Sequence, residues 1–168
     1  MNRSLTLLST AALIAAFSSC QPVNQGSAAS NLAAGDIPTN VAALIAKRRP
    51  DFVAKEVQKK VRGERTYYDI EGTSRGAEIE FDVLMTKSGP KIVEIQRDLK
   101  WTQVPLIVRA TYRRETKAAE PIRIIESVQT DDSIIYEFFL SGPPSGPRYE
   151  IRTAKGQAPE LLTKPGKH

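Results

Sequence analysis

The sequence predicts an α+β fold in which two helix-plus-antiparallel-meander repeats pack their helices on one face of the sheet. Three observations point there. Apolar residues recur at three-to-four spacing in two short segments, each opened by proline: Pro38 before Val41, Ala42, Leu44 and Ile45, and Pro105 before Leu106, Ile107, Val108, Ala110 and Tyr112. Behind each segment come runs of alternating apolar and polar residues, punctuated by Gly, Pro or Asp. The two halves also correspond at an offset near 67 residues, Pro38 with Pro105, Val41 with Val108, Thr86 with Thr153 and Gly89 with Gly156.

The chain opens on a leader, residues 1–19. Arg3 gives it a positive start, Leu5 to Phe17 an apolar centre, and Phe17-Ser18-Ser19-Cys20 an end of small residues before the only cysteine. This end resembles the lipobox of bacterial lipoproteins, although Phe17 stands where that pattern prefers Leu, Val or Ile. The resemblance implies cleavage before a lipid-modified Cys20, which then carries acyl chains, palmitate among them. Two or three such chains hold a protein on a membrane far more firmly than one. Gln21 follows the cysteine rather than Asp. That implies placement in the outer membrane, facing the periplasm, where a cell has two membranes. The alternative is a plainly secreted protein cut near Ser27-Ala28-Ala29. A retained membrane span is disfavoured by the short apolar centre and by Ser9, Thr10, Ser18 and Ser19. A lone exported cysteine forms no internal disulfide, and lipidation gives it a use.

Cleavage removes one Arg and no acid, taking the formal charge from +5 to +4. Residues 20–36 are rich in Ser, Ala, Asn, Gln and Gly and read as a flexible tether. Residues 37–103 form the first expected repeat, 104–163 the second and 164–168 a tail. In the first, Lys47, Arg48 and Arg49 close the helix, where cations complement the helix dipole, and Pro50 stops it. Thr66 to Ile70 reads as a strand, Gly72 to Gly76 as a turn, and Glu78 to Val83 as the cleanest strand in the chain. Ser88-Gly89-Pro90 turns into Lys91 to Ile95. In the second, Arg113 and Arg114 close the helix, Ile122 to Gln129 and Ile134 to Leu140 read as strands around the turn Asp131-Asp132-Ser133, and Tyr149 to Arg152 alternates again. Ser141 to Gly146 is a loop, and a weak last strand lies near Glu160-Leu161-Leu162.

The helix Val41 to Ala46, the strand Thr66 to Glu71 and the strand-turn-strand from Phe81 through Ser88-Gly89 to Val93 resemble PepSY and PepSY-like domains, which share architecture with β-lactamase-inhibitor proteins. The likeness spans residues 37 to 163. It departs at the strand turns, where Lys87-Ser88-Gly89 and Ala154-Lys155-Gly156 replace the usual Asp before Gly. It implies a non-catalytic module that inhibits a peptidase or binds another envelope protein. Small outer-membrane assembly lipoproteins share the same plan.

Catalytic chemistry finds little to work with. The one histidine is His168, at the chain end, so no Ser-His-Asp triad has an internal base. With Cys20 given to lipid, the chain offers no Cys and His set for zinc. There is no Gly-rich phosphate loop. No enzyme activity, metal or cofactor is expected, and nucleic acid is a poor partner for an exported chain.

Recognition has better candidates. On the strand Glu78 to Val83, Ile79, Phe81 and Val83 face the helices, leaving Glu78, Glu80 and Asp82 together on the open face. Tyr67 and Asp69 share a parity on the preceding strand and extend that patch. Ile135 and Phe139 belong to a strand apolar on both faces, which is either a central strand buried on both sides or an exposed strip beside the acids. Trp101, at the junction of the halves, is either a core or hinge residue or a binding anchor. The expected function is a lipid-anchored envelope module that recognises another protein through its open sheet face. The alternatives are a structural accessory lipoprotein of an outer-membrane assembly and a small-ligand carrier, the latter requiring a closed apolar cavity.

Overall fold

A computed structural model of the chain describes residues 28–162. Cys20 with its lipobox and His168 lie outside the described residues. The described residues form nine strands: β1 Ala28–Leu32, β2 Val53–Arg62, β3 Arg65–Ser74, β4 Ala77–Thr86, β5 Gly89–Asp98, β6 Arg123–Gln129, β7 Ile134–Phe139, β8 Tyr149–Thr153 and β9 Glu160–Leu161. Helix α1, Thr39–Arg48, connects β1 to β2, and α2, Leu106–Thr116, connects β5 to β6. Each helix is preceded by a 3-10 turn and begins directly after a proline, Pro38 or Pro105.

The sheet corrects the expected fold class. All nine strands pair antiparallel with their chain neighbours, in the order β1 to β9, in one continuous sheet. The β5–β6 ladder joins Glu94–Asp98 to Ile125–Gln129, across the boundary at 103/104 drawn between two repeats. The protein is therefore one sheet-dominated body, not two helix-plus-meander repeats. The physical reason lies in the edge of β5. An unpaired edge leaves a row of N–H and C=O groups to be satisfied, and the chain returning from α2 supplies the partner.

The stretch read as a tether is corrected in part as well. Ala28–Leu32 pairs with Val57–Val61 as β1. Its small and polar side chains gave no period-2 signal, and the ladder with β2 orders them regardless.

Gly72 is not a turn residue but lies within β3, opposite Ile79. A Cβ there would come within 2.3 Å of the Val53 carbonyl oxygen and 2.5 Å of the Phe52 ring. The missing side chain lets Phe52 pack edge-on against Phe81, with ring centroids 5.0 Å apart. The turn itself is Arg75–Gly76, both at positive φ (52° and 78°), the backbone that tight hairpins favour.

Register shows that both helices lie on one face. Val57, Ile70, Phe81 and Ile95 stand opposite one another across β2 to β5, and Val41 and Ile45 of α1 bury against the first three. The row continues through Val128 and Ile134. Farther along, Ile124, Phe138, Tyr136 and Ile151 take Val108 and Tyr112 of α2. The spacing of these helix residues by four is what holds each helix down by its apolar stripe. Among the described residues no helix is long and apolar enough to cross a membrane.

Candidate functional site

The other face of the sheet carries neither helix. On it, cross-strand register brings acids together. Asp69 stands opposite Asp82, Glu71 opposite Glu80 and Thr73 opposite Glu78; Asp82 in turn stands opposite Glu94, and Glu80 opposite Gln96. Tyr67 is on the same face, opposite Leu84. The five residues Glu78, Glu80, Asp82, Tyr67 and Asp69 are thus assembled on one surface.

Two bulges shape this surface. β2 has an extra residue at Lys55, between the pairings of Ala54 and Glu56, and Lys55 Nζ donates to Glu78 Oε1 at 3.4 Å. β5 has an extra residue at Val93, so its register shifts between Asp82 and Val83, beside the acids. Bulges re-aim side chains locally, and here they sit at the rim and centre of the acidic patch.

The patch is not the solvated stripe that alternation suggests. Glu78 and Glu71 are exposed, but Glu80 and Asp82 are half-buried and Asp69 is buried. Asp82 Oδ1 is shielded from solvent and has no hydrogen-bond partner. Burial pushes the Asp82 carboxyl up to about 8; the charges of Asp69, Glu80 and Glu94 add to this, and Lys60 opposes it. Burial, followed by the charges of Asp69 and Glu71, also raises Glu80. Asp82 is therefore mainly neutral at pH 7, and the face is less negative than its residue count implies.

Lys60, on β2, forms an ion pair with Asp69. Glu94 is buried and accepts hydrogen bonds from Ser127 Oγ and, at 2.9 Å, from Gln129 Nε2, which ties β5 to β6. Asp69, Glu80 and Asp82 each offer a carboxylate oxygen, all within 4.8 Å of one another. A divalent cation there would have to displace the Lys60 ammonium and the Asp82 proton.

At the edge of the patch lies a groove of about 150 Å³, lined by Glu71, Glu78 and Glu80 on one side and Arg97, Asp98 and Arg123 on the other. Arg123 Nε donates to Asp98 Oδ1 at 3.0 Å, and Arg97 Nε to Glu126 Oε1 at 2.7 Å. Lys55, paired with Glu78, lines the groove as well, so its charged walls are already largely paired. It is smaller than the roughly 300 Å³ at which ordinary small-molecule pockets begin.

The remaining sequence candidates fall elsewhere. Ile135 and Phe139 do face the helix-free side, but on β7, three strands from β4, or about 14 Å at ordinary strand spacing. Ile135 is only 8% exposed, and Phe139 lies under the Arg123 guanidinium, 5.4 Å from its ring centroid. β7 is thus a central strand buried on both sides, which removes the reading of an exposed apolar strip. Trp101 lies on the opposite face, in the α2 core, edge-on to Tyr112 at 5.6 Å and Phe138 at 6.4 Å. It is half-buried against that core, with Arg109 and Arg113 over its ring, and lies on the face opposite the acids.

Sequence reasoning missed Lys60, Glu71, Glu94, Gln96 and Arg123. The signal for Glu71 was present. Once Arg75–Gly76 is taken as a two-residue turn, pairing outward from Ser74 and Ala77 sets Glu71 against Glu80 and Asp69 against Asp82.

No family model matches the chain, and neither a curated protein nor a solved structure matches it, so the likeness to PepSY-like modules rests on the residues quoted for it.

Proposed function

We propose that the protein is a lipid-anchored module of the cell envelope that recognises a basic segment of another protein on its helix-free sheet face. One observation carries this reading: five strand-borne acids, Glu71, Glu78, Glu80, Asp69 and Asp82, lie on adjacent β3 and β4 positions of a surface that neither helix occupies. Side chains fixed on paired strands are held more rigidly than loop side chains, which favours recognition by preorganised charge, carried chiefly by the exposed Glu71 and Glu78, with Asp69 paired to Lys60 and Asp82 protonated. The lipid anchor is supported by the order of charged start, apolar centre and small residues before Cys20.

The test uses exposed members of the patch, so that folding is left intact. The chain is captured with its neighbours by crosslinking in detergent-solubilised envelopes. A partner held by the patch is recovered with the wild type, weakens at high salt, and is lost from Glu71→Lys/Glu78→Lys while the thermal midpoint stays within a degree or two. Recovery of the same partner by the double variant would place the contact elsewhere. The anchor is tested separately: Cys20→Ser abolishes acyl labelling and the mass change of processing, and an unchanged mass and membrane fraction would remove the lipoprotein reading.

A further inference from the structure

We infer that the strand ends at the β2–β3 and β4–β5 hairpins form a second membrane contact, a basic rim that docks on anionic phospholipid headgroups and points the groove beside the acidic patch away from the bilayer. The inference rests on the lipid anchor proposed above for its orientation, but the rim is defined by the fold alone.

The first ground is where the chain enters. Ala28 pairs with Val61, one residue before the β2–β3 hairpin, so the segment from Cys20 joins the sheet at this end. Eight residue steps from Cys20 to Ala28 span at most about 28 Å even when fully extended. A lipid on Cys20 therefore keeps this end of the sheet near the headgroups.

The second ground is charge. Arg62 and Arg65 stand opposite each other at the β2–β3 turn, and Lys87 and Lys91 flank the β4–β5 turn. All four are exposed, and no ion pair among the described residues involves them. Arg62 lies 5.4 Å over the Tyr67 ring, next to Leu84, which stands opposite Lys91. Cations beside an aromatic and an aliphatic side chain suit the headgroup layer, where ammonium and guanidinium groups meet phosphate. The acids at this end are Glu64 in the hairpin and, farther off, Asp131 and Asp132 at the β6–β7 turn and Glu160 opposite Arg152 on β9. Asp131 is already held by Arg152 at 2.6 Å.

The third ground is the polarity of the sheet. The groove lies at the opposite strand ends, where Glu78 is the second residue of β4 and Asp98 ends β5. The ten residues of β4 separate it from the rim by roughly 30 Å. An anionic surface attracts the rim, whereas at the groove Lys55, Arg97 and Arg123 are offset by Glu71, Glu78, Glu80 and Asp98, so the sheet stands on the membrane with its groove outward. A partner would then be met away from the lipid.

The experiment measures partitioning of the full chain, carrying Cys20→Ser so that no acyl chain contributes, onto vesicles of phosphatidylcholine alone and with about 30% phosphatidylglycerol. Any binding by the apolar leader is common to every variant, so the quantity read is the gain from anionic lipid. The rim is expected to give a gain that vanishes in high salt and falls at least tenfold in Arg62→Glu/Arg65→Glu/Lys87→Glu/Lys91→Glu. The control Lys47→Glu/Arg75→Glu/Lys100→Glu/Arg114→Glu makes the same change in net charge at exposed positions outside the rim and is expected to keep the gain within about twofold. Equal losses in both sets would mean that net charge alone acts, and an unchanged rim variant would remove the site. A fluorophore at Lys87→Cys should be quenched by headgroup-labelled lipid, and one at Glu78→Cys should not. The reverse order would overturn the orientation. A missing acyl chain in the separate labelling experiment would leave the vesicle result standing and withdraw only the anchor.

Discussion

The two faces of β4 differ in what their burial achieves. On one face, Ile79, Phe81 and Val83 are buried against α1 and its neighbours, and the removal of apolar surface from water stabilises the fold. On the other, Glu80 and Asp82 are half-buried and Asp69 beside them is buried, and the same loss of water works against the charged forms of Glu80 and Asp82. One strand therefore alternates between residues that hold the fold together and residues that strain it. Such strain is characteristic of surfaces kept for binding.

The largest test of this comparison is Phe81→Ala. The ring is fully buried, and Phe52 packs edge-on against it in the space opened by Gly72. Truncation should cost about 3–5 kcal/mol, read from urea denaturation, because a cavity between a helix and four strands collapses poorly. A loss under about 1 kcal/mol would mean that the helix-bearing face is not the main source of stability.

The polar face is tested by Asp82→Asn. In the folded protein the Asp82 carboxyl holds its proton up to about pH 8, whereas an unfolded aspartate releases it near 4. Between those values the folded state binds more protons than the unfolded state, so stability falls as pH rises. The slope approaches, at most, ~1.4 kcal/mol per pH unit for one proton. Replacement by the uncharged amide should flatten thermal midpoints between pH 5 and 8 and leave the variant more stable than the wild type at pH 8. A wild type whose stability rises from pH 5 to 8 by this group would reverse the assigned burial.

How much of this was legible follows from what alternation records. Strict period-2 spacing in Glu78 to Val83 separated the faces correctly, because each residue of a strand reports its own face. It did not report depth. Glu80 and Asp82 are half-buried through their neighbours on β3 and β5, and those neighbours are fixed by the Arg75–Gly76 turn and the bulge at Val93. A five-residue turn drawn from Gly72 to Gly76 concealed that register. The continuous sheet was hidden for a related reason. The β5–β6 ladder joins segments on either side of α2, and nothing local in Glu94–Asp98 marks it as paired on both sides. Trp101 was ambiguous because one aromatic residue carries no period. Only contact with Tyr112 and Phe138 places it against the edge of the α2 core.

The smallest expected effect sharpens the comparison within the acidic face. Glu78 belongs to the same strand face as Glu80 and Asp82, but its side chain is 84% exposed. Its one ion pair, with Lys55 at 3.4 Å, joins two side chains largely in water. Such pairs are worth between nothing and about 1 kcal/mol, since solvent screens the attraction and both chains lose freedom. Glu78→Ala should therefore change stability by less than about 0.5 kcal/mol and leave the pH dependence due to Asp82 intact. Glu80→Ala should do something different: removing a like charge beside Asp82 makes the Asp82 carboxyl easier to ionise, so the steep part of the pH profile moves to lower pH. If the two variants gave the same pH profile, depth would not be what separates neighbouring acids on this face.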